Sequence, residues 1–195
     1  ASTGVIMSVN NSLYCFPVYA YGTEEQKKKY LEPCASGEYL GCYGLTEAGA
    51  GSDPAGMRTT AVKDGDGWVI NGEKKFITNG NVARFAVIAA VTDKEKGYKG
   101  ISSFVMDLEN TPGFKVGRVE EKMGILASGT SELIFEDAKL PEDALLGKEG
   151  EGFKQMLTTL NGGRIGIASQ AIGIGRSVVE DAVSYAKTRE QFGKP

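Results

Sequence analysis

The sequence predicts an α+β protein in which an antiparallel β-barrel or sandwich lies between helical segments. Short β-prone runs separated by turn signals fill residues 38–147, a pattern typical of antiparallel sheets. The stretches on either side carry apolar residues at helical spacing. The chain has 195 residues, 41% of them apolar, which is enough for a substantial core. We therefore divide it into residues 1–36, 37–147 and 148–195.

The first stretch, residues 1–36, is predicted to be helical. Thr23 and Gln26 have the spacing of a capping box, which predicts a helix start at this point. Acidic residues precede lysines along this helix, as the helix dipole favours. The helix is expected to stop near Pro33 and Gly37, and its lysines are interpreted as a solvated face.

The middle stretch is predicted to begin as a β-meander. Residues 64–67 separate two β-prone runs, and Asn71-Gly72 is expected to turn the chain into the next strand, because Asn-Gly is the strongest two-residue hairpin signal. Further strands are expected at residues 85–92, 101–107, 114–119 and 132–135.

After residue 149 the apolar period becomes helical. We expect a short helix at residues 153–160, followed by a helix of about two dozen residues that contains Ile165. Small residues such as Gly166 and Ala168 would let another helix approach closely. Because this chain offers no obvious partner for that face, we expect it to pack against something outside residues 1–195.

The composition excludes several classes of function. The chain has no histidine, so a Ser-His-Asp triad, an HExxH zinc site and an imidazole base are excluded. Three widely spaced cysteines fit neither a disulfide framework nor a paired metal site. The net charge of −3 and scattered basic residues argue against nucleic acid. The longest apolar run, residues 85–91, is far below the ~20 residues of a membrane span, so we expect a soluble, cytoplasmic protein.

Residues 43–53 hold the richest candidate chemistry. Glycine accounts for 27 residues of the chain, about twice its usual share, and this segment combines glycines with the hydroxyls of Thr46 and Ser52. Such a segment can present main-chain N–H groups to a phosphate or to the polar edge of a ring. It is not a dinucleotide fingerprint, because Pro54 replaces the third glycine, and no Gly-Lys-Ser/Thr of a P-loop is present. On composition alone, a ligand-free connection between strands is an equal alternative.

Several segments, in order along the chain, resemble the signature segments of the flavin-dependent acyl-CoA dehydrogenases. The three main ones read Tyr43-Gly44-Leu45-Thr46-Glu47-Ala48-Gly49-Ala50-Gly51-Ser52-Asp53, Trp68-Val69-Ile70-Asn71-Gly72-Glu73-Lys74-Lys75-Phe76-Ile77-Thr78-Asn79 and Arg189-Glu190-Gln191-Phe192-Gly193. Residues 122–125, 133–137 and 162–168 agree with the same family. Residues 3–13 are similar to its short-chain, butyryl-CoA-type members.

The resemblance implies a middle β-domain between two helical domains. Residues 1–36 would be the end of the first helical domain, residues 37–147 the flavin- and acyl-CoA-binding domain, and residues 148–195 the start of an incomplete C-terminal helical bundle. It further implies a homo-oligomer, a tetramer by kinship, in the bacterial cytoplasm or, in a eukaryote, the mitochondrial matrix.

The same resemblance implies that the middle domain binds FAD. The main chain around Tyr43 and Leu45, with the hydroxyl of Thr46, would meet the pyrimidine side of the flavin, and Thr78 would hydrogen-bond near N5. Fixed donors at these places would stabilise the negative charge of a reduced flavin. Beside the ring would lie Phe76, where many relatives have tryptophan, and Ile77.

Other implied contacts involve the cofactor pyrophosphate, coenzyme A and a neighbouring subunit. Ser52 would contact the pyrophosphate and the acyl-CoA. Asn161 and Arg164 align with an Asp-x-x-Arg pattern that contacts coenzyme A, although asparagine brings no charge. The residues implied to reach the FAD of a neighbouring subunit are Arg189, Gln191 and Phe192. A further departure is Leu126, where many relatives have arginine.

The implied reaction oxidises a short-chain acyl-CoA, such as butyryl-CoA, to the trans-2-enoyl-CoA. FAD accepts the hydride, and electrons pass to an electron-transfer flavoprotein. The glutamate base of the family lies in a Tyr-Glu-Gly segment that these residues do not contain, so no catalytic residue is predicted here. Glu47 is rejected as a substitute, because an acid in a polar turn is normally solvated.

Two alternatives stay open on the sequence. One is a flavoprotein of the same fold with different chemistry, such as an acyl-CoA oxidase or a flavin monooxygenase relative, which would differ in the oxygen reactivity of the reduced flavin. The other is a catalytically silent FAD or acyl-CoA binding module, or a scaffold subunit.

We predict that residues 1–195 alone have no dehydrogenase turnover, because the implied base is not among them. The measurement is reduction of a dye acceptor by butyryl-CoA with only these residues present. Measurable turnover would contradict the prediction.

Overall fold

Helices fill the N-terminal stretch, as predicted. The computed structural model describes residues 2–194. The first helical run consists of α1 (Ser2–Ser8), a π-helical segment (Val9–Cys15) and α2 (Phe16–Tyr21). The second consists of α3 (Glu24–Gln26), a π-helical segment (Lys27–Leu31) and α4 (Glu32–Ala35).

The capping box that opens the second run is confirmed. Gln26 N donates to Thr23 Oγ1 (3.2 Å), and Thr23 N donates to Gln26 Oε1 (3.0 Å). The Gln26 side chain also donates to the Leu145 carbonyl (3.0 Å). The cap therefore fixes this helix to the end of the sheet as well as starting it.

Seven strands form one mixed sheet. They are β1 (Gly41–Gly44), β2 (Thr60–Asp64), β3 (Gly67–Thr78), β4 (Phe85–Val91), β5 (Ile101–Asp107), β6 (Phe114–Val119) and β7 (Thr130–Pro141). The order is β1-β4-β2-β3-β7-β6, with β5 also paired to β4. The α+β class is confirmed.

The sheet is not wholly antiparallel, which corrects the prediction. Strand β4 pairs in parallel with β1 and, through one residue pair, with β2. Parallel neighbours need a long crossover connection, and residues 45–84 supply one between β1 and β4. The remaining pairs are antiparallel.

The turn expected at Asn71-Gly72 is wrong, because both residues lie within β3. The hairpin is the one at residues 64–67, and Gly72 lies at a register shift between β3 and β7. Asn71 and Asp137 exchange two hydrogen bonds of 2.8 and 2.9 Å across this bulge. Gly72 has φ +140°, and a Cβ there would lie 2.6 Å from Thr59 Oγ1. Asn71-Gly72 therefore lies opposite a bulge in β7, and glycine is needed there because the main chain of β3 passes close to Thr59.

Two apolar clusters lie on opposite faces of the sheet. Along β4, Val87 belongs to the cluster beneath the helices and Ile88 to the other. Both faces of this strand are thus buried, which explains its unbroken apolar run. Cys15, Cys34 and Cys42 are all buried and free. Among residues 2–194, no helix has the length and apolar character that crossing a bilayer requires.

The two C-terminal helices expected from the sequence are one helix, α5 (Gly152–Thr188), of 37 residues. Gly163 lies within this helix and against the first helical run, where a Cβ would be 2.9 Å from Leu13 Cδ2. The first part of α5 therefore has a partner within the chain, contrary to expectation. From Ala171 onward its side chains are exposed.

We predict that Gly41→Ala destabilises the fold by about 1–3 kcal/mol, the usual cost of overpacking. A Cβ at Gly41 would overlap the buried ring of Tyr14. Urea unfolding gives the free energy, with Gly49→Ala as the matched control, because a Cβ at Gly49 meets no atom within 4 Å. Equal stability of the two variants would contradict the prediction.

Candidate functional site

The end of β3 combines an exposed aromatic ring with a strained main chain. Phe76 lies in the second register shift between β3 and β7, has φ +60° and is 63% exposed. A bulky residue with positive φ is rare and costs energy. Such strain concentrates at functional sites, so Phe76 marks this end of the strand as a candidate site.

The two threonines predicted to hold the flavin flank Phe76. Lys75 N donates to the Thr46 carbonyl (2.8 Å), and Thr78 pairs with Thr130 in the β3–β7 ladder. Both threonine side chains are half-buried. Three residues of strand span about 10 Å at most, so segment 43–53 and Thr78 lie within the reach of one ligand.

A buried ion pair lies beneath this end of β3. Lys74 is 0% exposed, and its Nζ is 2.8 Å from Glu47 Oε1 and 3.1 Å from the Leu45 carbonyl oxygen. Glu47 also accepts from Arg58 N (2.6 Å) and Thr59 N (3.0 Å). The pair therefore connects segment 43–53 to β3 and to the start of β2.

Burial and pairing shift the pKa values of both Lys74 and Glu47. Burial lowers the pKa of Lys74 to about 8, against the opposing attraction of Glu47. Burial alone would raise the pKa of Glu47, but Lys74 and the donors from Arg58 and Thr59 outweigh it and lower this pKa. Glu47 is thus ionised at neutral pH.

The solvated turn expected for Glu47 is wrong, because this side chain is only 7% exposed. A cation and two main-chain donors hold it as a carboxylate, whereas a general base for carbon acids needs a raised pKa. The physical argument against Glu47 as a base is therefore its ion pair rather than its solvation.

Asn79 fixes the turn that follows Thr78. It is fully buried with φ +67°, and its Nδ2 donates to the carbonyls of Ile6 (3.2 Å) and Gly41 (3.3 Å). Asn79 N donates to the Gly129 carbonyl (2.9 Å). One asparagine thus joins α1, β1 and the loop before β7 at the end of β3.

The residues implied to contact coenzyme A lie on two separate elements. Ser52 is exposed in the loop before a short 3₁₀ turn (Pro54–Gly56). Arg164 donates to Asn161 Oδ1 (2.6 Å) within α5. Arg164 also lines a cleft of about 470 Å³ between α5 and the first helical run, together with Leu13.

The three residues implied to reach a neighbouring subunit lie beyond α5. Arg189 caps the helix by donating its N–H to the Tyr185 carbonyl (2.9 Å). Gln191 and Lys194 exchange main-chain hydrogen bonds of 2.8 and 3.1 Å. Phe192, at the tip of this turn, has φ +54° and is 102% exposed. It is a second strained, exposed phenylalanine in a predicted flavin segment.

The residues at the end of β3 fit a flat aromatic cofactor. Phe76 offers an exposed apolar ring, and aromatic faces stack on planar guests. Main-chain bonds already fix the segments of Thr46 and Thr78, so neither hydroxyl is needed to hold its own strand. The side chains of Tyr43 and Leu45 are buried, which agrees with the expectation that only their main chain would meet a ligand. Ile77 is also buried and faces the core.

Sequence reasoning missed Lys74 and Asn79 as determinants of this site. Lys74 stands next to Lys75 in a polar stretch, and although alternation from Trp68 and Ile70 places it on the buried face of β3, lysine is rarely fully buried unless paired. A signal was available in Glu47, the single acid of residues 43–52, because a buried acid needs a partner. Asn79 belongs to the second signature segment without an assigned role, and its long-range bonds to Ile6 and Gly41 have no local signature.

Comparison with known protein families matches three successive regions of the chain to three domains of one family. Residues 42–138 match the family described as acyl-CoA dehydrogenase, middle domain. Residues 150–195 match the acyl-CoA dehydrogenase C-terminal domain, and residues 1–38 match the N-terminal domain.

Individual proteins agree with these matches. The chain is 52% identical over 193 residues to the short-chain specific acyl-CoA dehydrogenase of Clostridium acetobutylicum, covering 99% of this chain and 51% of that protein. It has a TM-score of 0.96 and 52% identity to a structure described as the electron transferring flavoprotein of Acidaminococcus fermentans, covering 99% of this chain and 50% of that one.

A third comparison is with a glutaryl-CoA dehydrogenase from Mycobacterium smegmatis in complex with FADH2. The TM-score is 0.90 at 43% identity, covering 98% of this chain and 48% of that one. The fold that the resemblance implied is confirmed. The chain spans about half the length of the curated relatives it matches.

We predict that Glu47→Gln lowers the free energy of unfolding by about 3–5 kcal/mol at pH 7, because it leaves the buried Lys74 ammonium unpaired. The matched control is Glu136→Gln, which breaks the exposed pair with Lys115 (2.8 Å) and is expected to cost at most about 1 kcal/mol. Urea unfolding of both variants measures the difference.

The effect of Glu47→Gln should also depend on pH. Because the folded-state pKa of Glu47 lies below its ordinary value of 4.5, the stability from its ionisation is complete above pH 4.5. It is lost as the pH falls through the folded-state pKa. The stability gap between the parent and Glu47→Gln should therefore narrow below pH 4.5, and a constant gap would contradict this assignment.

Proposed function

The chain belongs to the acyl-CoA dehydrogenase family, and from that membership we propose that the complete protein oxidises short-chain acyl-CoA thioesters. The product is the trans-2-enoyl-CoA, with butyryl-CoA as the expected substrate and FAD as the hydride acceptor. Relatives that are described as short-chain specific support the substrate class.

The observation that carries this proposal is the strained end of β3. An exposed phenylalanine with φ +60° lies between two segments that each bring a half-buried threonine hydroxyl. A related enzyme was described in complex with FADH2. We therefore place the isoalloxazine ring of FAD against Phe76, with Thr46 on its pyrimidine side and Thr78 near N5.

The residues of this chain bind and orient, and the cofactor supplies the redox chemistry. When bound, FAD accepts a hydride from the β-carbon of the substrate. Thr46 and Thr78 supply donors that need not reorganise during the reaction, and the wall formed by Phe76 excludes water from one face. Among the residues assigned to this site, none removes the α-proton. The base is therefore assigned to a residue beyond this chain.

Coenzyme A would lie along Ser52, Asn161 and Arg164. Arg164 borders the cleft between α5 and the first helical run, where its planar guanidinium suits a phosphate. Asn161 accepts a hydrogen bond from Arg164 (2.6 Å) and orients it without neutralising its charge. This supports Arg164 as the main polar contact.

We further propose a homo-tetramer in which segment 189–194 reaches the FAD of a neighbouring subunit. The fully exposed ring of Phe192 supports this, because an exposed aromatic at a strained turn gains most from a partner. Electrons would leave through an electron-transfer flavoprotein, in line with a similar structure that carries that description. The compartment is the bacterial cytoplasm, or the mitochondrial matrix in a eukaryote.

The test is a visible spectrum of the complete gene product. A yellow chromophore that butyryl-CoA bleaches under anaerobic conditions is expected, and a colourless protein that takes up no FAD would refute the proposal. Stopped-flow reoxidation in air separates it from an oxidase, because a dehydrogenase is expected to react slowly with oxygen. Retained FAD without bleaching would indicate a binding module.

We predict that Thr78→Val slows the reduction of bound FAD by butyryl-CoA by about 100-fold, the usual effect of removing one preorganised donor. The matched control is Thr130→Val, the same change at the cross-strand partner of Thr78. Anaerobic stopped-flow absorbance gives both rates. Similar rates for the two variants would remove Thr78 from the site.

A further inference from the structure

We propose that the buried Lys74–Glu47 pair positions the flavin site by orienting the peptide between Leu45 and Thr46, so that the Thr46 N–H points outward as a fixed donor. This rests on the proposed function, which places that peptide at the pyrimidine edge of FAD. Lys74 and Glu47 are positioning residues, since neither is assigned a contact with the cofactor or the substrate.

The bonds on residues 45–47 leave this peptide little freedom. Lys74 Nζ donates to the Leu45 carbonyl (3.1 Å), and Lys75 N donates to the Thr46 carbonyl (2.8 Å). The Glu47 carboxylate accepts from Arg58 N (2.6 Å) and Thr59 N (3.0 Å). Residues 45–47 are thus held both from β3 and from the start of β2.

The geometry of the peptide bond fixes the direction in which the Thr46 N–H points. Cis peptide bonds are absent from the described part of the chain, and in a planar trans peptide the C=O and the following N–H point in opposite directions. The Leu45 carbonyl points inward, toward the fully buried Lys74 ammonium. The Thr46 N–H must therefore point away from the core.

Stability alone does not explain a lysine at this position. Buried ion pairs are often no more stabilising than apolar residues of similar volume, and the other buried positions of β3 hold residues such as Trp68 and Ile70. The fold also makes room for the lysine stem. A Cβ at Gly44 would lie 2.5 Å from Ile88 Cδ1 and 3.3 Å from Lys74 Cγ.

The outward donor suits a flavin that gains charge. A reduced flavin carries negative charge along its N1 and O2 edge, and a donor fixed in advance stabilises that charge without reorganisation. The site should therefore favour reduced over oxidised FAD. Loss of the Lys74 contact would release the Leu45 carbonyl and let the peptide rotate, which weakens that preference.

The experiment uses the complete gene product with both charges removed together, as Lys74→Met/Glu47→Gln, so that no unpaired ion is left buried. We expect the Kd for FAD to rise at least tenfold, which corresponds to about 1.4 kcal/mol. The two-electron reduction potential of bound FAD should become more negative, by about 30 mV for each tenfold loss of preference for the reduced form.

The matched control is Lys115→Met/Glu136→Gln, which removes an exposed ion pair from β6 and β7 and should change neither quantity. If the double variant fails to fold, Lys74→Leu/Glu47→Gln is the second variant, since it likewise leaves no unpaired ion buried. A melting temperature recorded with each titration separates lost stability from lost positioning.

The outcomes separate this inference from the proposed function. If the parent protein binds FAD, and the folded variants bind it within twofold and at the same potential, the positioning role is refuted while the proposed function stands. A lowered melting temperature with unchanged affinity and potential would likewise refute the positioning role, because the pair would then serve stability alone. If the parent binds no FAD, both are refuted.

Discussion

The ion pair between Lys74 and Glu47 is the constraint on which the candidate site depends. A fully buried ammonium is costly unless its charge is paired and its donors are used. Here Glu47 and the Leu45 carbonyl satisfy it, and Glu47 in turn satisfies the N–H groups of Arg58 and Thr59. Three stretches that are distant in sequence therefore meet at one point inside the sheet, and segment 43–53 has a defined conformation despite its glycines.

Strand β3 organises the rest of the molecule around that point. The first bulge adds a residue to β7, and the second adds one to β3 between Lys74 and Ile77, so only the second changes which side chains of this 12-residue strand face inward. Alternation with Trp68 and Ile70 places Lys74 in the core, and the second bulge leaves the Phe76 ring exposed and turns Ile77 inward. Asn79, just beyond the strand, then joins the helices and β1 to the same end of the sheet. The positive φ of Asn79 is tolerated because asparagine adopts this conformation readily and its side-chain and main-chain bonds fix it.

The C-terminal helix α5 is packed along its first part and exposed along the rest. Its first turns pack on the sheet and on the first helical run through Gly163 and Gly166, where any larger residue would meet Leu13 or Ser8. Beyond Ala171 it carries exposed apolar side chains. Such a long exposed face on a well-formed helix requires packing partners, in keeping with a chain that spans about half the length of its relatives.

The sequence by itself determined the α+β class, most strand positions, the capping box at Thr23 and the family, because periodicity, capping and signature segments are local. Only the tertiary structure decided that β4 pairs in parallel with β1, that Asn71-Gly72 lies within β3 opposite a bulge of β7, and that α5 is continuous. It also decided that Glu47 is buried. Each of these depends on a partner far along the chain, such as Lys74 for Glu47 or Asp137 for Asn71, and no local pattern records the identity of that partner.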